Sequence, residues 1–146
     1  MLAATVQGQD VLIKLGIATT GLALLLGGAA QAVVEPPVII KPPNCQSAVQ
    51  IGKTGFVKRG DTQLATIKQW EGCGGKFGHV RVHADTPFRA SVRLSADGTS
   101  TTPEQGATNQ RDVWTFSRVL NDKCSAAVAT VQVGQMGVTG RSGLSC

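Results

Sequence analysis

The chain has 146 residues, with 14 Lys and Arg against 9 Asp and Glu, a net charge of +5 and no tyrosine. That length admits one domain with a single core and excludes a multidomain enzyme. With only 2 histidines there is little material for a multi-histidine metal centre or for histidine-based acid–base chemistry.

Residues 1–32 read MLAATVQGQDVLIKLGIATTGLALLLGGAAQA. An uncharged apolar run from Leu15 to Gly28 follows Lys14 and ends in Ala30-Gln31-Ala32, the small-x-small pattern of a signal-peptidase site. The run is shorter than the roughly 20 residues that span a bilayer. A cleaved secretory signal peptide is therefore expected, with the mature chain starting at Val33 and no stable membrane anchor. Asp10 is out of place in such a segment, whereas a start at Val11 instead of Met1 sets Lys14 beside the amino terminus. Only Lys14 and Asp10 carry charge in residues 1–32, so the mature chain keeps the +5. A basic exported protein attracts anionic partners.

Residues 33–44, VVEPPVIIKPPN, hold two Pro-Pro pairs and read as a stiff proline-rich leader ahead of a domain at 45–146. In that domain SAVQI, GFVKR, TQLATIKQW, GHVRVH, FRASVRLS, DVWTFSRV and AAVATVQVG show the two-residue period of half-buried strands, and no helical period is sustained. The expected fold is all-β, a small disulfide-stapled antiparallel sandwich or barrel. Residues 97–110, DGTSTTPEQGATNQ, have no large apolar anchor and read as a long mobile loop. Trp70 and Trp114 sit in strand patterns, which favours core over exposed carbohydrate platforms.

Pairing GHVRVH with FRASVRLS as a hairpin turns Val80, Val82, Ala90 and Val92 inward. His79, Arg81, His83, Arg89 and Arg93 then share one outer, anion-binding face. On a strand His79 and His83 lie about 13 Å apart, too far to hold one ion, so no metal or other cofactor is expected.

Cys45, Cys73, Cys124 and Cys146 all fall in the mature part, an even number that implies two disulfides in an oxidising compartment. In CSAAVATVQVGQMGVTGRSGLSC, Gln135 is midway between Cys124 and Cys146, so a regular hairpin pairs them and leaves Cys45 for Cys73. Four cysteines allow three connectivities. The stretch around Cys73, QWEGCGGKFGHVRVHA, lacks the Ser or Thr and the following helix of a phosphate-binding loop. A half-cystine in a turn is expected there, not a reactive thiol.

In IKQWEGCGGKFGHVRV the chain resembles a group of small exported actinobacterial proteins of unknown function. Their strand ends in an aromatic-Ser-x-x-Cys turn, with an aromatic four residues after the cysteine. Cys73, Phe77 and Val80 match that pattern, Trp70 falls one residue closer to the cysteine, and the Ser is missing. DKCSAAVATV is similar to the group's later cysteine strand. The resemblance implies export and a β fold and carries no active site.

The expected function is that of a secreted or envelope-associated, non-catalytic domain. Its partner would be an anionic cell-wall polymer or another exported protein, in preference to nucleic acid. The alternative is a secreted protease inhibitor presenting residues 97–110.

Overall fold

A computed structural model describes residues 35–85 and 87–146; the signal-peptide reading falls outside them. The fold is all-β. In chain order the strands are β1 (Ile39–Ile40), β2 (Ala48–Arg59), β3 (Thr62–Gly72), β4 (Gly75–Val82), β5 (Phe88–Ala96), β6 (Thr99–Ser100), β7 (Glu104–Gln105), β8 (Asp112–Ser117), β9 (Ser125–Val133) and β10 (Met136–Arg141). They form two antiparallel sheets. Sheet A runs β1-β2-β3-β4-β8, and sheet B runs β10-β9-β5-β6 with β7 also paired to β5.

Alternation explains how the sheets pack, because successive side chains on a strand point to opposite faces. Ile67, Val80, Val82 and Val113 from sheet A meet Phe88, Ala90, Val92, Leu94, Ala129 and Val131 from sheet B in one buried core. Burying each such Val, Leu, Ile or Phe contributes about 1.5–3 kcal/mol. Near the Cys124 end the interior turns polar. There Gln69 Nε2 donates to Ser125 Oγ at 2.6 Å, and the buried Lys76 ammonium donates to the Lys123 carbonyl at 2.5 Å.

At one side the sheets almost join. A methyl group on Gly55 of β2 would collide with the Arg141 carbonyl, and one on Gly140 of β10 with the Phe56 carbonyl. Two backbones in direct contact admit only glycine at those points. The close approach curls the sandwich toward a half-barrel.

The first disulfide lies at the β3–β4 turn. Gly72 pairs with Gly75, and the two residues between them, Cys73 (φ 51) and Gly74 (φ 73), are both left-handed, as a type I′ hairpin demands. The stretch around Cys73 is thus a stapled turn, as expected: Cys73 bonds Cys45 across a Cα separation of 5.9 Å. Cys124 bonds Cys146. Both bridges are those expected from the hairpin symmetry, although the turn itself is displaced. Met136 pairs with Val133 across a Gly134-Gln135 turn, and one extra residue in Gly143–Leu144 restores the register at the Ser125–Ser145 bridge.

Three expectations about organisation change. First, the proline-rich segment enters the fold before Cys45. Ile39 and Ile40 pair with Val49 and Ala48, and Pro42 is buried. Second, residues 97–110 do not form a free loop. Ser100 and Thr99 pair with Ser95 and Ala96, and Gln105 and Glu104 with Ser91 and Val92, so this polar segment satisfies the open edge of β5 through its backbone. Third, β4 and β5 are not a hairpin. β4 pairs with β3 and β8, β5 pairs with β9, and the chain changes sheet between Val82 and Phe88.

Candidate functional site

That crossover divides the expected basic face. Val80, Val82, Ala90 and Val92 do point inward, but they face one another across the sandwich. The alternate residues therefore point away on opposite sides: His79, Arg81 and His83 go with sheet A, and Arg89 and Arg93 lie on the outer face of sheet B. Arg89 donates to Thr108 Oγ1 at 3.1 Å, far from the β4 residues in the sheet order. His83 shares a 2.8 Å hydrogen bond with Thr66 Oγ1. His79, expected to be solvated, is buried.

The outer face of sheet A is built in cross-strand rows. Direct pairing places Thr66, Arg81 and Asp112 in one row, Lys68, His79 and Trp114 in the next, and Trp70, Phe77 and Phe116 in the third. Neighbours in a row are close enough to touch. Trp70 and Phe77 of the third row, with Cys45 and Ala48 and with Ile40 and Trp114 packed against them, make a small second apolar cluster on the outside of the sheet. The Cys45–Cys73 bridge fastens residues 38–45 over it as a strap. Trp70 is thus buried, but outside the main core, and Trp114 is half-buried beside it at a ring separation of 6.5 Å.

Between strap and sheet runs a cleft of about 620 Å³, walled by Val38, Ile40, Trp70 and Trp114 and floored by His79. Lys41, Lys68, Arg81 and Asp112 line its polar part, three cations against one carboxylate. Lys68 is steered by the Trp70 ring, 5.6 Å from its Nζ, and a cation over an indole face is favourably placed.

The single carboxylate is already engaged. Asp112 Oδ1 accepts from His79 Nε2 at 2.8 Å and lies 3.7 Å from Arg81 Nη1. His79 in turn stacks on Trp114, with centroids 3.9 Å apart and planes 11° from parallel. Burial lowers the His79 pKa from 6.5, and Arg81 and Lys68 lower it further, against the raising effect of Asp112. At neutral pH the contact is therefore a hydrogen bond from neutral imidazole, with the proton on Nε2, and not an ion pair. Its role is positional, because it holds Trp114 and Asp112 in place under the cleft.

Among the described residues no hydroxyl or thiol hydrogen-bonds His79, and Thr66 Oγ1 is taken by His83. Among the described residues no three His, Cys, Asp or Glu side chains converge as metal ligands. What the cleft offers is an apolar aromatic wall beside excess positive charge, a setting for binding a partly apolar anion.

Of the expected site residues, His79 and Arg81 reach the cleft, while His83, Arg89 and Arg93 do not line it. Lys41, Lys68, Trp70, Asp112 and Trp114 were missed. A signal for part of this was present: in DVWTFS, Asp112, Trp114 and Phe116 share the parity opposite to buried Val113, so two aromatics had to face outward. No family model, curated protein or solved structure matches the chain.

Proposed function

We propose that this chain is an exported, non-catalytic binding domain that holds an anionic envelope polymer in the cleft on the outer face of sheet A. The carrying observation is the convergence of Lys41, Lys68 and Arg81 around Trp70 and Trp114, where the only carboxylate is satisfied by its own neighbours. A ligand anion there meets a net excess of positive charge beside an apolar wall that excludes water, which strengthens the attraction. Two disulfides support an oxidising, extracytoplasmic location. The protease-inhibitor reading draws no support from residues 97–110, which are hydrogen-bonded along β5.

The test separates the two faces. Lys68→Ser with Arg81→Ser removes two cleft cations, and Arg89→Ser with Arg93→Ser removes two from the opposite side. On anionic cell-wall polymer, the first pair should elute at clearly lower salt and the second close to the parent. Equal shifts would mean that net charge alone is being read, and the cleft reading would fall.

A further inference from the structure

Trp114 has two sides, and each belongs to a different cleft. Beyond the one above, a second cleft of about 380 Å³ is lined by Trp114, Thr115, Phe116, Phe77, Asn44 and the Arg118–Glu104 charges, among others. The two differ in chemistry. The first carries excess positive charge, whereas the second sets one cation against one carboxylate around an exposed ring. Phe116 is 41% exposed, packs on Phe77 at 4.5 Å between centroids, and has the Arg118 guanidinium 5.9 Å from its ring centre.

β8 sets the spacing. Asp112, Trp114 and Phe116 are alternate residues on one strand, so their side chains step outward about 7 Å apart and the pair of clefts spans about 14 Å. That is the length of a short oligomer, not of a single small ligand. The strap and its Cys45–Cys73 staple border both clefts, since Val38, Ile40 and Lys41 line the first and Pro43, Asn44 and Cys73 the second. Both therefore lie beside the same strap, with Trp114 common to the two.

Resting on the binding function proposed above, we infer that the ligand is a linear glycan whose repeat alternates an acidic with a neutral sugar. The acidic unit lies in the Lys41, Lys68 and Arg81 cleft. The neutral unit lies over Phe116, with its apolar ring face on the aromatic side chain and its hydroxyls toward Asn44. A polymer charged at every unit would also set an anion in the second cleft, where Glu104 and Arg118 together leave no excess positive charge, and would lose affinity through repulsion from Glu104. Single-stranded nucleic acid, with a phosphate at every step, is disfavoured for the same reason.

The experiment measures binding of the oxidised protein, by titration at fixed ionic strength, to four probes of matched length. These are a hyaluronan octasaccharide, which alternates uronate and neutral amino sugar; an oligogalacturonate, charged on every ring; an uncharged chitin oligosaccharide; and oligo(dT). Hyaluronan should bind at least tenfold more tightly than each of the others. Phe116→Ala should remove that advantage and leave oligogalacturonate binding within twofold. Glu104→Lys, at an exposed position, should raise oligogalacturonate affinity about tenfold with no gain for hyaluronan. Equal affinity for the two acidic glycans, tighter binding of oligo(dT) or of the uncharged chain, or a Phe116→Ala loss that is the same for both acidic glycans, would overturn the inference. If neither acidic glycan binds, or both bind unchanged after Lys68→Ser with Arg81→Ser, the underlying binding function fails instead.

Discussion

Removing the Cys45–Cys73 bridge should cost about 3.6 kcal/mol and loosen the cleft. The bridge closes a sequence separation of 28, and chain-entropy reasoning for such a loop gives a denatured-state restriction of about 12 cal/mol/K, or about 3.6 kcal/mol at 25 °C. The replacement chosen at position 73 matters separately, because φ there is 51° and the turn is type I′. A left-handed non-glycine residue pays roughly 1–2 kcal/mol, and asparagine is among the residues that tolerate it. Cys45→Ala with Cys73→Ala should therefore lose about 3.6 kcal/mol, and Cys45→Ala with Cys73→Asn about 1 kcal/mol less. Equilibrium urea unfolding followed by tryptophan fluorescence reads both, since Trp70 is 3% exposed beneath the strap. Free energies must be compared instead of midpoints, because an uncrosslinked denatured chain exposes more surface and raises the slope. Parent-like stability of the alanine pair would refute the entropic argument. Asparagine and alanine pairs of equal stability would refute the turn assignment. The Cys124–Cys146 bridge closes a separation of 22 and by the same arithmetic contributes about 3.4 kcal/mol. The two deletions should thus be alike in stability, and only the first should weaken retention on anionic polymer.

Gly55→Ala and Gly140→Ala each drive a methyl group into a carbonyl of the facing strand; each should destabilise at the upper end of the roughly 1–3 kcal/mol typical of overpacking, whereas Gly60→Ala, with open space around it but a left-handed φ of 59°, should cost only the roughly 1–2 kcal/mol of that backbone conformation in a parallel urea titration. The pH response of stability should trace to His79, whose folded pKa is lowered by burial. The unfolded chain then binds the proton more readily, so this contribution is fully present above the unfolded value of 6.5 and is lost as pH falls through the folded one. His79→Gln should flatten the difference between urea curves at pH 7.5 and 5.5, and an unchanged difference would place the titration elsewhere. Asp112→Asn weakens the acceptor that holds His79 while removing the cleft's one carboxylate. Binding of anionic polymer should hold or tighten, and a tenfold loss would assign Asp112 a direct ligand contact.

Strand periodicity determined a great deal by itself. Alternation in GHVRVH and FRASVRLS assigned Val80, Val82, Ala90 and Val92 to the core, and all are buried. Cysteine spacing favoured the observed bridges among three possible connectivities, because a hairpin fold-back brings Cys124 to Cys146 whether its turn centres on Gln135 or half a residue earlier. Tertiary structure decided which sheet each strand joined. Two consecutive strands bury the same residues whether they pair edge to edge or face each other across a sandwich, so inward-facing valines carry no information on that choice. The outward residues depend on it completely. Crossing between sheets carried Arg89 and Arg93 away from His79 and Arg81 and brought Lys68 and Trp114 to His79 instead. The cleft was illegible for the same reason: its walls come from the strap, β3, β4 and β8, segments as distant in sequence as Val38 and Trp114, whose meeting is set by sheet order and by no local pattern.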